Sequence, residues 1–125
     1  MTHTKIENVR FGRTAPGVAV RDIQSAYAFY CGVLGFQKVF ENGEPVGMMV
    51  LKKDGAEIHL TQQRDHQATT VNVFHMFVDD VAALHAICEA AGVRIIKSLQ
   101  DKDYGQRAFV FADPDGNRID VGQRS

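Results

Sequence analysis

An internal repeat constrains this sequence more than any other feature. Residues 20–23 (VRDI) have a counterpart 58 positions later at residues 78–81 (VDDV). Asp22 and Asp80 are suitable helix N-caps, because a carboxylate accepts hydrogen bonds from the free amides of the first helical turn. Apolar residues at helical spacing follow each cap and predict two amphipathic helices. These residues are Ile23, Ala26, Tyr27, Tyr30, Val33 and Leu34 in the first copy and Val81, Leu84, Ile87, Cys88 and Ala91 in the second.

The repeat extends beyond the helices. Gly35 and Gly92 suit the left-handed residue that ends a helix, and each leads into strand-like apolar residues. The turn dipeptides at 54–55 (DG) and 115–116 (DG) precede a further strand in each copy. Each module therefore reads strand, helix, strand, strand, strand. The predicted strands are about 15–20, 36–41, 45–52 and 56–62 in the first module, and about 71–78, 93–98, 106–112 and 117–122 in the second.

These elements predict an α+β fold made of two tandem βαβββ modules. A chain of 125 residues has the length of one domain, here 1–125, and can bury a sizeable core. We expect module one at about 12–62, a polar linker at 63–70 and module two at about 71–123.

The composition limits the kinds of molecule and surface that this chain is expected to bind. A formal net charge of −1 indicates neither nucleic acid nor an anionic membrane surface, and no apolar stretch approaches the length of a transmembrane helix. The first residues lack the apolar run of a signal peptide, and Cys31 and Cys88 are expected as reduced thiols. We therefore expect a cytoplasmic protein. We also expect His85, on the second helix, to face solvent.

Two motifs resemble a known superfamily. Residues 18–23 (VAVRDI), 28–30 (AFY) and 33–36 (VLGF) are similar to the opening of glyoxalase and bleomycin-resistance proteins, which belong to the vicinal-oxygen-chelate superfamily. Residues 111–120 (FADPDGNRID) are similar to its closing motif. The resemblance implies that each module curls into an incomplete barrel around a concave cleft. It also implies a homodimer whose modules combine into a binding cavity.

In metal-dependent members of that superfamily, each module supplies one ligand from its first strand and one from its last. The repeat places the last-strand positions at His59 and Asp120. The first-strand positions lie seven residues before the capping aspartates, at Ala15 and Val73. Neither of these two side chains can bind a metal. Since a catalytic metal site normally has three protein ligands, the set is incomplete and no cofactor is expected.

An alternative metal site remains open. His75 lies two residues after Val73 and on the same strand face, so His59, His75 and Asp120 can be combined into a shifted site for iron, manganese, nickel or zinc. In that enzyme Glu57 is the candidate general base. Otherwise His75 lines an organic-ligand pocket or makes a buried hydrogen bond. His59 and Asp120 then form a polar pair or bind the ligand.

A small-molecule site is the main functional prediction. Alternate residues on the strands give a concave face with apolar surface and a few polar groups, which is typical of ligand pockets. The resemblance implies that the chain binds an antibiotic or a metabolite and sequesters it, as antibiotic-resistance proteins do. The alternative is a metal-dependent lyase, isomerase, epimerase or dioxygenase. The predicted ligand-binding residues are His59, His75, Phe77, Tyr104, Arg107, Arg118 and Asp120.

Overall fold

The computed structural model describes residues 5–102 and 105–124. After a short 3-10 turn at Ile6–Asn8, the order strand, helix, strand, strand, strand occurs twice, as the repeat predicts. The first module contains β1 (Gly17–Val20), α1 (Ile23–Gly32), β2 (Gln37–Asn42), β3 (Met48–Lys53) and β4 (Ala56–Gln62). The second contains β5 (Asn72–Phe77), α2 (Val81–Ala90), β6 (Arg94–Asp101), β7 (Gln106–Ala112) and β8 (Arg118–Arg124).

Each module forms its own four-stranded mixed sheet. The strand orders are β1-β4-β3-β2 and β5-β8-β7-β6, so the two sheets have the same topology. In each, the first strand pairs in parallel with the last, and the other pairs are antiparallel. The predicted α+β class is confirmed, and both sheets are open rather than closed barrels. Within the described residues, no helix is long and apolar enough to span a membrane.

The helix boundaries arise from the residues that the repeat identified. The carboxylate of Asp22 accepts hydrogen bonds from two amides of the first turn of α1, at 3.0 and 3.4 Å. Asp80 accepts one from the first turn of α2 at 3.0 Å. Gly35 and Gly92 have φ values of 81° and 74°. This left-handed backbone conformation is unfavourable for residues that carry a side chain. The caps and the glycines therefore fix where each helix begins and where the following strand can start.

One hydrophobic core serves both modules. The Phe29 ring of α1 lies 6.1 Å from the Phe111 ring of β7, so a helix of the first module packs against a strand of the second. Because strand side chains alternate, the residues between the core positions point to the other side of each sheet. We call that side the outer face of the sheet. The buried strand residues include Val18, Val20, Met49, Leu51, Ile58, Leu60, Phe109, Phe111, Ile119 and Val121.

A buried polar junction also joins the modules. The Tyr30 hydroxyl of α1 donates a 2.8 Å hydrogen bond to Asp113 Oδ2. The Asp113 carboxylate also accepts from the amides of Asp115 and Asn117 and from Asn117 Nδ2, each at 2.9 Å. Asn117 Nδ2 in turn donates to the carbonyl of Ala19 in β1 at 2.9 Å. Burial, and then the nearby Asp113 charge, raise the pKa of Tyr30 well above its ordinary value.

The expectation that His85 faces solvent is wrong. Its side chain is only 15% exposed, and its ring lies edge-on 5.0 Å from the Phe109 ring. Its Nδ1 lies 3.3 Å from a carboxylate oxygen of Glu89, one helical turn further along. The second helix therefore uses this imidazole as packing surface against β7.

Replacing Tyr30 by phenylalanine tests the junction between the modules. Tyr30→Phe removes one donor from a buried carboxylate, and a hydrogen bond to a charged group contributes about 1.5–3 kcal/mol. We expect the free energy of unfolding to fall by about that amount in urea titrations followed by circular dichroism. The matched control is Tyr27→Phe on the same helix, which we expect to change stability by less than about 0.5 kcal/mol. Equal stability of the two variants would contradict a stabilising role of this hydrogen bond.

Candidate functional site

The outer face of the first sheet carries His59 in the middle of β4. Strand register places Gly17 of β1 directly opposite His59 on one side and Val50 of β3 on the other. Phe40 of β2 is next to Val50 and completes the row. A Cβ atom on Gly17 would meet no heavy atom within 4 Å. The row therefore contains open space beside the imidazole of His59.

His59 is held by a neighbouring carboxylate. Its Nε2 lies 2.7 Å from Glu57 Oε2, and the other oxygen of Glu57 lies 3.2 Å from Arg13 and 3.5 Å from Lys52. The hydrogen bond from His59, followed by the charges of Lys52 and Arg13, lowers the pKa of Glu57. A carboxylate with a lowered pKa is a weaker base. The geometry thus favours Glu57 as the group that orients His59, and its role as a general base stays a prediction.

The outer face of the second sheet carries a similar pair on β5 and β8. His75 is directly opposite Asp120, and its Nδ1 lies 2.7 Å from Asp120 Oδ2. Since an ionised carboxylate only accepts hydrogen bonds, Nδ1 is the donor. Among the described residues, no hydrogen-bond partner is found for His75 Nε2. The Phe77 ring stands edge-on 4.5 Å from the imidazole and is 54% exposed.

The two modules differ at equivalent positions. The residue opposite the last-strand site is Gly17 in the first module and His75 in the second. Both lie five residues before the helix cap, whereas Ala15 and Val73 lie seven before it. Ala15 precedes β1, and Val73 lies where the pairing of β5 with β8 is irregular. The histidine that sequence spacing placed two residues beyond the expected ligand position is therefore the direct neighbour of Asp120.

The three residues of the predicted metal site do not form one cluster in the described part of the chain. Residues 5–102 and 105–124 contain no group of three or more histidine, cysteine, aspartate or glutamate side chains suited to hold a metal ion. His75 and Asp120 are together on one sheet, whereas His59 lies on the other sheet with Glu57. Within one chain, the described residues therefore do not bring together the three protein ligands that a catalytic metal site normally has.

The remaining predicted ligand-binding residues are dispersed. Arg118 begins β8 two residues before Asp120 and alternates onto the same face. Arg107 lies two residues before the core residue Phe109 in β7 and so on the same side of the sheet as Phe109, which is the opposite side from Asp120. Its Nε lies 3.6 Å from Asp101 in an exposed pair. Tyr104 lies outside the described residues.

A large groove between the modules was not predicted. We call it the inter-module groove; its volume is about 930 Å³. Ile87 was expected to contribute to the apolar face of the second helix, yet it is 51% exposed and lines this groove. The only sequence feature that pointed to Ile87 was its helical spacing. That spacing does not distinguish a residue in the core from one that lines a groove. The lining residues are Thr14, Ala15, Pro16, Leu34, Phe36, 53–58, 74–80, Ala83, Leu84 and Ile87.

The Glu57–His59 contact can be tested through the acidity of Glu57. We expect His59→Ala to raise the pKa of the Glu57 carboxyl group, because His59 is the largest cause of its lowering. Arg13→Ala is the matched variant and should raise that pKa less. The pKa of Glu57 in both variants is measured by carbon-detected NMR titration of its side-chain carboxyl signal, which is assigned with the Glu57→Gln variant. A larger change in Arg13→Ala than in His59→Ala would contradict the contact.

The sequence model of the Glyoxalase/Bleomycin resistance protein/Dioxygenase superfamily matches residues 10–121. No curated protein sequence matches the chain significantly.

Several solved structures share the fold. A superfamily member from Sphaerobacter thermophilus has a TM-score of 0.74 and 24% identity, over 90% of this chain and 98% of the other. A bleomycin-binding protein complexed with bleomycin has a TM-score of 0.76 and 22% identity, over 92% and 100%. The lactoylglutathione lyase of Agrobacterium tumefaciens has a TM-score of 0.74 and 18% identity, over 92% and 95%. At these identities the similarity establishes the fold alone.

Proposed function

The chain belongs to the glyoxalase/bleomycin resistance protein/dioxygenase superfamily, and we propose that it binds a small organic molecule on the outer faces of its two sheets. Binding is non-covalent and leaves the ligand chemically unchanged. The imidazole–carboxylate pairs His75–Asp120 and His59–Glu57 provide the polar contacts.

The observation that carries this proposal is the His75–Asp120 pair beside an exposed aromatic ring. The carboxylate fixes the orientation of His75, and Nε2 remains available to a ligand. Phe77 supplies apolar surface in direct contact with the imidazole. An apolar wall with one or two oriented polar groups is the usual composition of a small-molecule site.

A second copy of the chain completes the cavity in this proposal. A ligand pocket encloses most of the surface of its ligand. The outer faces leave Phe40 and Phe77 exposed in a single chain, so neither face encloses a ligand alone. We therefore propose a homodimer in which an outer face of one protomer opposes an outer face of its partner.

Sequestration is the role that this chemistry supports best. It requires affinity and no general base, and a micromolar dissociation constant corresponds to about −8 kcal/mol. The fold is shared with a bleomycin-binding protein, and an antibiotic or a metabolite is the proposed ligand class. We also propose a cytoplasmic location, with which the free thiols of Cys31 and Cys88 agree.

A metal titration separates this proposal from the enzyme alternative. That alternative is a metal-dependent lyase, isomerase, epimerase or dioxygenase with His59, His75 and Asp120 as ligands. We expect protein without a histidine tag to retain no stoichiometric iron, manganese, nickel or zinc after titration and dialysis, as measured by elemental analysis. Tightly bound metal that is lost in His59→Ala or Asp120→Ala would overturn sequestration without metal.

A ligand screen tests the site directly. Bleomycin and a panel of aromatic antibiotics and metabolites are added while the melting temperature is followed. A ligand at 100 times its dissociation constant stabilises the native state by about 2.7 kcal/mol. We expect at least one compound to raise Tm by several degrees, and His75→Ala to weaken its binding about tenfold or more in calorimetry. The control Arg64→Ala removes an exposed charge on the linker and should bind normally. Equal affinity of His75→Ala and wild type would place the ligand elsewhere.

A further inference from the structure

We propose that the ligand bound on the outer face of the second sheet carries an oxyanion, either a carboxylate or a phosphate group, and that Arg118 binds this group. The inference rests on the proposed function and deepens it, because it names the chemical class of the sequestered molecule. It is carried by a positive charge for which the described part of the chain supplies no counter-charge.

Arg118 is a half-buried cation without an ionic partner. Its side chain is only partly exposed, and within the described part of the chain it forms neither a hydrogen bond nor an ion pair. Asp120, two residues further along on the same face, is engaged by His75 at 2.7 Å. Taking a charge out of water is costly unless a partner replaces the lost hydration. The five N–H donors of this guanidinium are therefore available to an external anion.

The first module shows how the chain neutralises the equivalent position. Glu57 and Arg118 both lie two residues before the last-strand site, so the repeat places opposite charges there. The carboxylate of Glu57 is paired with Arg13 at 3.2 Å and with Lys52, its register neighbour on β3, at 3.5 Å. The register neighbour of Arg118 on β7 is Ala112, which has no polar side chain. The same position is thus charge-paired in one module and left without a counter-charge in the other.

Two further cations lie on the face that carries Arg118. Arg94 and Lys97 of β6 lie in the same cross-strand rows as Arg118 and Asp120, respectively. Both are exposed, and neither forms an ion pair with another described residue. The charged side chains described on this face are three basic and one acidic, a net charge of +2 with histidine neutral. Such a face attracts anions and repels cations.

The spacing of the polar and apolar groups sets the shape of the ligand. Arg118, the His75–Asp120 pair and Phe77 occupy three successive outward-facing rows along β8 and β5. Alternate residues of a strand are about 6.6 Å apart, so about 13 Å separates the backbone of the first row from that of the third. The ligand is therefore an elongated anion. Its charged group lies at Arg118, and its apolar body extends past His75 towards the ring of Phe77.

Three naphthalene derivatives, substituted at the same ring position, test the charge of the ligand. Naphthoate carries a carboxylate, naphthyl phosphate carries a phosphate, and naphthamide is a neutral molecule with the shape of the carboxylate. Binding to the full chain is measured by isothermal titration calorimetry at constant ionic strength. We expect at least one of the two anions to bind at least tenfold more tightly than the amide. The affinities of the two anions show which oxyanion the site prefers.

The variant Arg118→Gln tests whether this residue is the source of the preference. It removes the charge and the planar fork but keeps a polar side chain, and we expect the preference for anion over amide to fall below threefold. The matched control Arg64→Gln removes an exposed arginine of the linker that also forms no ion pair with the described residues. This control should keep the full preference. Anions that bind no more tightly than the amide, or a preference that survives Arg118→Gln, overturn the proposal.

A second measurement needs no organic ligand, and it decides the proposal if none of the three derivatives binds. The Nε–Hε signal of Arg118, assigned with Arg118→Gln, is followed by heteronuclear NMR while inorganic phosphate is added at constant ionic strength. We expect a saturable shift at Arg118 that is at least fivefold larger than the shift at Arg64. Equal shifts overturn the proposal. So does an Arg118 signal that does not move, the result expected if a carboxylate of a second copy of the chain already neutralises it.

The outcomes separate this inference from the proposed function. If neutral compounds from the screen bind through His75 and anions have no advantage, sequestration stands and the inference about the anion fails. If the anions bind through Arg118 and His75→Ala leaves their affinity unchanged, the anion site stands and the proposed role of His75 fails.

Discussion

The relative position of the two modules depends on the hydrogen bonds that the buried Asp113 carboxylate accepts. A charged group inside a protein is costly unless its oxygens are satisfied. Here Tyr30 satisfies it from the first module, while Asn117 satisfies it from the second and also binds the Ala19 carbonyl of β1. The hydrophobic core alone would hold the modules together with little directionality. The polar junction fixes how they meet, and hence where the outer faces and the groove lie.

The repeat gives each module the same row of positions, but different side chains fill the rows. His59 and Asp120 are equivalent, and Gly17 and His75 are equivalent. Each outer face nevertheless contains one imidazole with one carboxylate, reached by different pairings: along the strand in the first sheet and across strands in the second. The shared fold therefore fixes the positions at which polar groups can lie on each outer face. The residue type at each position determines which of these groups interact.

Local patterns predicted the fold well because they act over a few residues. The N-caps Asp22 and Asp80 and the glycines Gly35 and Gly92 were identified from spacing, and the order of elements along each module followed from them, whereas the order of strands in each sheet was not predicted. The site was only partly predictable. His75 and Asp120 were recognised as candidates, but their direct contact depends on the register of two strands 45 residues apart. Ile87 shows the same limit, since helical spacing reveals an apolar face without showing what covers it.

The missing side chain at Gly17 has a consequence for the shape of any guest that spans both outer faces. Both halves of such a cavity would contain an imidazole and a carboxylate, but only the half with His59 would have open space where the other has the His75 side chain. A molecule with two identical ends would find only one of them well accommodated. The two ends of a guest that spanned both faces would therefore meet different surroundings, with more room beside His59 than beside Asp120.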